Sequence, residues 1–512
     1  MTNANTMPLP IGFHHMSLAG GIRAAAQRNP NKVVYKCGQT LRTYREFVER
    51  MDRISSGLSS GLGLKPGTHG AIVSQNCIEF MEILVGASQA GVALATVNPR
   101  LTPNEIVAVC DDAGAQVVFA DAECAEALKD SRFATATTII VIGDDLDSWL
   151  QKAAGIIQLP EINEWDTLVI PYTSGTTGKP KGVLVPHRSR VITLFSCAVE
   201  YGCYSPDDRF LAIAPMCHGA GMLFALAPAF FGGYCEIMTK FEPEAVLRAY
   251  ASEQITGFFG VPTHFKVMMG QEKAILDAGR NNILRAVISN AAAMPQALKE
   301  VLVDYFGEGL LHETYGSTEA SVVSNLRPAD QLRKQQCVGQ PFPYTQVKLL
   351  NTDGEECAPE EVGELFTLSP CLFNGYWQRD EATAEAFRDG WVTVGDMAKK
   401  DDEGHLYIVD RKKDMVISGG YNIFPREIEE WLFKHPDIAD VAVVGVPDEK
   451  WGESLRAFVV GNGGAPVDAK SVAEFCDGQL SGFKIPKDIV MIDSLPRNAN
   501  GKVLKTELRK ND

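Results

Sequence analysis

The segment Tyr172-Thr-Ser-Gly-Thr-Thr-Gly-Lys-Pro-Lys-Gly-Val183 restricts what this chain can build more than any other stretch. Glycines, hydroxyls and lysines at this density suit a phosphate cradle. The nucleotide loop that opens a helix needs four residues between its glycines and then Lys-Ser or Lys-Thr. Here Gly175 and Gly178 are two residues apart, and Pro180 follows Lys179. The flanking runs, 167–170 and 182–185, are apolar and favour strands. The spacing therefore predicts a glycine-hydroxyl loop between two strands. Such clusters also make ordinary solvent turns, so the loop alone leaves both readings open.

Before the loop, strand-like runs at 71–74 and 117–119 alternate with helix-like segments at 79–89 and 103–111. Residues 147–166 read as a polar, weakly periodic connector. From 207 to 325 the alternation resumes, with 258–261, 286–288 and 310–313 each preceding a turn. This pattern predicts doubly wound sheets with ligands at the carboxyl ends of strands. Beyond 335 the texture becomes glycine-punctuated strands, as at 363–366 and 405–409. Five charges in a row, Asp410-Arg-Lys-Lys-Asp414, then precede a last hundred residues able to form a small α/β module, with a helix at 428–433 and a strand at 441–446. With 512 residues, more than one domain is expected, divided as 1–410 and 411–512.

A net charge of −16 argues against nucleic acid and anionic membrane as partners. A small anion held by a local basic cluster remains compatible. Twelve cysteines without a C-x-x-C pair, and no recognisable targeting signal, predict a reduced cytoplasmic setting without structural zinc. The apolar run 211–233 has the length of a bilayer span, but Pro215, His218 and Pro228 interrupt it. A buried wall of the fold is expected there, with no transmembrane segment.

Four further motifs follow the loop in order: Tyr315-Gly-Ser-Thr-Glu319, Trp391-Val-Thr-Val-Gly-Asp396, Asp410-Arg411 and Pro496-Arg-Asn-Ala-Asn-Gly-Lys502. Together they resemble the acyl-adenylate-forming (AMP-binding) superfamily, in its acyl-CoA synthetase branch, from Leu41 to Lys502. The resemblance implies a large α/β N-terminal domain of doubly wound sheets with a β-rich subdomain, and a small mobile α+β C-terminal domain. It implies ATP, Mg²⁺ and coenzyme A as reactants or cofactors, and a small-molecule carboxylic acid as substrate; a homodimer is compatible. By this resemblance Thr173, Ser174, Gly175, Thr176, Thr177, Gly178 and Lys181 cradle the β- and γ-phosphates. Ala291, Ala292 and Ala293 flank adenine opposite Tyr315, within the ATP site that includes Glu313, Thr314 and Gly316. Thr318 meets the α-phosphate, Glu319 holds Mg²⁺, and Asp396 with Arg411 holds the ribose. Residues 394–396 read Val-Gly-Asp where the family usually has Thr-Gly-Asp, so one hydroxyl is missing. Lys502 bridges the carboxylate and the α-phosphate, a task suited to a point charge on a long stem.

The family alternates two conformations about a hinge, which here matches Lys413. Rotation exchanges Lys502 for the Gly419-Gly420-Tyr421 segment at a pantetheine tunnel; Trp451, Phe483, Lys487 and Arg100 match positions that hold the CoA nucleotide. Ile485 stands where aryl-acid ligases carry a basic residue. The acid is expected beside His218, Gly219, Ala220, Ser196, Phe259, Ala291, Ser321 and Val322. These mostly small or apolar side chains imply a hydrophobic acid, long-chain or bulky. By residue type alone His218 could equally be a satisfied core histidine. Loading of an acyl-carrier protein and aryl-acid–CoA ligation are the alternatives. Glu319 to Asp396 has no obvious extra segment of the kind that fatty acyl-AMP ligases carry.

Overall fold

Strands buried on both faces of a parallel sheet must be apolar along their whole length, and the runs that alternate through the first two-thirds of the chain meet this condition. The computed structural model describes residues 16–136, 138–153, 160–174, 180–252, 254–280, 283–463, 467–497 and 503–510. The chain divides into two compact units, 1–347 with 367–392 and 348–366 with 393–512.

The first unit holds two sheets. One runs in the order Thr138–Val141, Ala115–Ala120, His69–Val73, Ala93–Val97, Thr167–Ser174 and Pro180–Gly182, with Val185–Pro186 also paired to Thr167–Ser174. Its first five strands are parallel, and His69–Val73 and Ala93–Val97 are buried at every position. Helix Ile78–Gln89 crosses between these two strands, buried at all but one residue. Helix Pro103–Asp112 starts where Thr102 and Glu105 cap each other reciprocally and Pro103 takes the first turn.

The second sheet has nine strands. Its parallel centre runs Leu311–Ser317, Ala286–Ser289, Gly257–Gly260, Arg209–Ala212, Tyr234–Ile237 and Val33–Cys37. Antiparallel edges close it: Ser321–Leu326 and Gln340–Pro341 on one side, Thr40–Thr43 on the other. The apolar run 211–233 becomes the end of strand Arg209–Ala212 and helix Gly219–Phe231, which is buried from Gly221 to Phe230. Pro228 sits inside that helix, and the Tyr44 hydroxyl reaches the carbonyl of Gly233 at 2.9 Å just beyond it. Among the described residues, no helix is long and apolar enough to cross a membrane.

The polar connector expected at 147–166 is only half correct. Its first part belongs to helix Asp144–Lys152, whose acidic first turn faces the positive end of the helix dipole. Leu146 and Leu150 are buried, and Trp149 lies edge-on to Phe119 with centroids 6.1 Å apart. Three aspartates in nine residues mask this amphipathic face in the sequence.

In the second unit, Gly452–Gly461 is the central strand of a five-stranded sheet, in a hairpin with the edge strand Ile438–Asp448. Val416–Ser418 and Tyr421–Ile423 extend it on one side, and Asp488–Met491 pairs parallel to Gly452–Gly461. Helices Pro425–Leu432 and Ala469–Cys476 cover its apolar face. A second hairpin, Asp396–Lys400 with Leu406–Arg411, leads into this sheet through the charge run. That run is more than a solvated face. Asp410 is buried and accepts from the backbone N–H of Arg426 at 2.9 Å, and buried Asp414 pairs with Arg509 at 2.9 Å. Lys413 between them is exposed in a turn. None of the twelve cysteines is in a disulfide; nine are buried, and Cys37, Cys77 and Cys357 are partly exposed.

Candidate active site

Strand Thr167–Ser174 pairs antiparallel with Pro180–Gly182, placing Thr173 opposite Lys181 and Tyr172 opposite Gly182. The loop thus joins two strands, as its flanks predicted. Gly175, Thr176, Thr177 and Gly178 lie outside the described residues, as does Lys502, and so does the side chain of Ser174.

Lys181 and Glu319 meet through a residue that the sequence did not single out. The Tyr376 hydroxyl donates to Glu319 Oε1 at 2.8 Å, and Lys181 Nζ lies over the Tyr376 ring, 5.1 Å from its centroid. A ring face attracts a cation and a phenol O–H serves a carboxylate, so one tyrosine organises both charges. Backbone bonds fix its place: Leu184 N–H to Gly375 O and Trp377 N–H to Gly182 O, each 2.9 Å. Glu319 is 7% exposed, and its own carbonyl accepts from Phe373 N–H at 2.9 Å.

Tyr315 does not follow its strand but belongs to it, because Leu311–Ser317 continues through the motif. Thr318 and Glu319 occupy the turn to Ser321–Leu326. The ladder bulges between Tyr315 and Gly316, where a Cβ would stand 2.0 Å from the carbonyl oxygen of Ser321. Only glycine fits so close an approach. Across the parallel ladder, Ala291, Ala292 and Ala293 form an exposed shelf. Ala291 has φ +79°, a strained conformation for a residue with a Cβ. Both ends of the shelf are tied to strand Leu311–Ser317: Asn290 Nδ2 donates to Thr314 Oγ1 at 2.8 Å, and Met294 N–H to Glu313 Oε1 at 3.1 Å. The side chains of Glu313 and Thr314, expected to belong to the ATP site, are thereby committed to protein partners.

In the second unit, Asp396 and Arg411 are cross-strand partners, with Arg411 Nε 2.8 Å from Asp396 Oδ1. Arg411 also donates to Val394 O at 2.7 Å. The hydroxyl missing at 394 has a neighbour at Thr393, which donates to Glu364 at 2.9 Å and accepts from Gly395 N–H at 3.1 Å.

Five residues expected around coenzyme A gather on one exposed face of the same unit. Tyr421 and Phe483 stack with centroids 4.6 Å apart at 16°, and Gly419 N–H donates to Trp451 O at 2.9 Å. Gly419 and Gly420 both have positive φ, +57° and +85°. Lys487 is exposed near Phe483 in sequence. Arg100 belongs instead to the first unit, where its charge acts on His218.

His218 precedes helix Gly219–Phe231, next to strand Ala93–Val97, whose Thr96 hydroxyl donates to Cys217 O at 2.9 Å. Burial first, and Arg100 second, lower its pKa, so it is neutral near pH 7. A Cβ at Gly219 would meet nothing within 4 Å, and Ala220 is partly buried. Phe259 is buried and stacks on Phe224 with centroids 4.5 Å apart. Ser321 shares a 2.8 Å hydrogen bond with Thr193, and Ser196 and Val322 are buried. Phe224, Phe259 and Val322 belong to one buried apolar cluster, with Ala220 packed against it.

The donor set fits the magnesium expected of such a site. Glu319 is a buried carboxylate anchored at one oxygen by Tyr376, and one carboxylate completed by water and phosphate oxygens is a usual way to hold that ion.

The chain matches the family model of the AMP-binding enzymes over residues 22–377, and that of their C-terminal domain over 427–502. It belongs to the AMP-binding enzyme family. A feruloyl-CoA synthase from Amycolatopsis is 34% identical over 95% of this chain and 97% of its own. A long-chain-fatty-acid–CoA ligase from Mycobacterium tuberculosis is 35% identical over 91% and 92%. Among solved structures, ATP-bound MatB from Rhodopseudomonas palustris superposes with a TM-score of 0.88 at 27% identity, covering 97% of this chain and 98% of its own. The o-succinylbenzoate coenzyme A synthetase (MenE) from Bacillus subtilis, in complex with ATP and magnesium ion, gives 0.85 at 27%, with 96% and 98% covered. The chain is an AMP-forming acid–CoA ligase of this family, with its large N-terminal and small C-terminal parts.

Proposed function

We propose that this ligase activates a hydrophobic carboxylic acid, long-chain or bulky, as its acyl-adenylate and transfers the acyl group to coenzyme A. The observation that carries the adenylation site is Tyr376, with Glu319 on its hydroxyl and Lys181 over its ring. In the first step a carboxylate oxygen bonds to the α-phosphorus of ATP while the bond to pyrophosphate breaks. Anions meet and an anion leaves, so the site must neutralise charge on both sides. Lys181 and the hydroxyls at 173, 174, 176 and 177 would take the leaving phosphates, and Glu319 would hold Mg²⁺, which supplies positive charge there. Thr318 would meet the α-phosphate, and Lys502 would bridge the two reacting groups. Asp396 would accept from the ribose hydroxyls, its orientation fixed by Arg411.

In the second step the CoA sulfur bonds to the acyl carbon, AMP departs, and the thiol proton is lost to solvent. Gly419, Gly420 and Tyr421 would line the pantetheine path, with Trp451, Phe483 and Lys487 toward the CoA nucleotide. A boundary near 410/411 and a hinge at exposed Lys413 would let one site serve both steps. The preference for a hydrophobic acid rests on the buried apolar cluster that includes Phe224, Phe259 and Val322. The stacked Phe224–Phe259 pair in that cluster, together with the feruloyl-CoA synthase similarity, equally favours an aryl acid. A panel of aliphatic and aryl acids, assayed for AMP release with and without CoA, separates these readings. ADP formation would overturn both, and AMP release with a carrier protein but not CoA would overturn the acceptor.

A further inference from the structure

The shelf Ala291–Ala292–Ala293 ends on an ion pair whose lysine neither the sequence motifs nor the proposed chemistry uses. Lys299 Nζ stands 2.5 Å from Glu313 Oε2, and the two side chains are 1% and 5% exposed. Lys299 comes from helix Gln296–Phe306, which follows the shelf directly; Glu313 comes from the strand that carries Tyr315. The other oxygen of Glu313 accepts from Met294 N–H at 3.1 Å, closing the shelf's far end. Asn290 closes its near end on Thr314, the next residue of the same strand. Between the anchors stand three exposed alanines, the first at φ +79°. A strained, side-chain-poor segment persists only where its surroundings over-determine it. It can offer a ligand little besides backbone N–H and C=O groups.

We infer that the Lys299–Glu313 pair is a positioning device that sets the register of this backbone shelf against Tyr315, and so determines which purine base the site accepts. Resting on the reading that ATP binds beside Tyr315, the inference extends it from where the base lies to what selects it. Adenine and guanine differ at the ring edge, where one presents an amino donor and the other a carbonyl acceptor. A rigid row of backbone groups distinguishes them only while its register is fixed. A buried ion pair is a poor source of net stability but a good source of conformational specificity when its geometry is tight and its remaining oxygen is satisfied. Glu313 has one oxygen satisfied by Met294 N–H, and Lys299 stands 2.5 Å from the other as a close charge contact. Lys299 acts through Glu313 and Met294 and touches no reactant.

The test is calorimetric binding of ATP and GTP to the full chain, with KM and kcat from pyrophosphate exchange and the thermal midpoint as a control. Lys299→Met should weaken ATP binding about tenfold or more and reduce the ATP-over-GTP preference, with kcat and the KM for the acid little changed; a site built to hydrogen-bond one partner loses its discrimination when that geometry is lost. Glu313→Gln keeps an oxygen for Met294 N–H and should show a smaller effect in the same direction. Should Lys299→Met fail to fold, the double variant Lys299→Met/Glu313→Gln leaves no buried charge and should fold with the relaxed preference. Wild-type protein that binds no ATP would overturn the functional reading itself. Folded variants that bind ATP and GTP in the wild-type ratio, with only the thermal midpoint lowered, would overturn this inference and leave the pair purely structural.

Discussion

Tyr376 and Glu319 are 57 residues apart in the chain and joined by one 2.8 Å hydrogen bond. The phenol donates, so one oxygen of Glu319 is anchored and the side chain is held in its turn. Glu319→Gln should slow adenylation by about 10²–10³, the usual cost of one strong electrostatic contact, and raise the Mg²⁺ requirement. Tyr376→Phe keeps the ring under Lys181 and removes only the donor. A hydrogen bond to a charged group contributes about 1.5–3 kcal/mol, so the Mg²⁺ concentration for half-maximal exchange should rise by about tenfold or more. A titration of Mg²⁺ in pyrophosphate exchange measures both. An unchanged midpoint in both variants would make Glu319 an ordinary buried carboxylate.

The two half-reactions should separate by residue. Lys502→Ala should nearly abolish pyrophosphate exchange yet still convert supplied acyl-AMP to thioester. Gly420→Leu should do the reverse. At φ +85° any side chain is strained at Gly420, by roughly 1–2 kcal/mol, so Gly420→Ala serves as the control for strain without bulk. Lys413→Pro should resemble Gly420→Leu, because a fixed φ hinders rotation at the turn. Equal loss of both half-reactions in every folded variant would exclude alternation.

Coenzyme A affinity should depend on the aromatic face. Replacing Phe483, stacked on Tyr421 at 4.6 Å, with alanine should raise the KM for CoA several-fold and leave ATP–pyrophosphate exchange untouched. Base–aromatic stacking is worth about 1–3 kcal/mol. A shift in exchange kinetics instead would assign this face to the first step.

Acid should unfold the first unit through histidines whose pKa burial depresses. Burial lowers the pKa of His187, His264 and His312 to about 4, against about 6.5 in an unfolded chain. Between these values the unfolded state binds more protons, so stability falls as pH falls from about 6.5 to about 4 and is unaffected above that window. Neither ring nitrogen of His187 has a partner among the described residues. His187→Leu should therefore flatten the decline of thermal midpoint with pH by about one proton's share. An unchanged slope would mean that His187 is already protonated or exposed in solution.

Much of this was legible because burial on both faces leaves an unmistakable apolar run: residues 117–119 and 286–288 fall within strands, and the run at 71–74 does so as far as Val73. The hairpin around the glycine loop was legible from its flanks. Long-range polar contacts were not. Tyr376 looks like any tyrosine after a glycine, and Lys299 like a surface lysine on a helix, because their partners are chosen by the tertiary fold. Helix Asp144–Lys152 was missed because its acidic turn diluted a three-residue apolar face. The compact units likewise group 348–366 and 393–410 with the C-terminal sheet, a pairing of distant segments that no local pattern records.

The distribution of thiols gives the chain a built-in set of reporters. Cys37 and Cys77 lie in one compact unit and Cys357 in the other, while the remaining nine are buried. Burial raises the pKa of all three, that of Cys77 to about 12, so in the native protein each reacts slowly through a scarce thiolate. Alkylation in mild denaturant, read by peptide mass, therefore dates the opening of each unit separately. No label needs to be engineered.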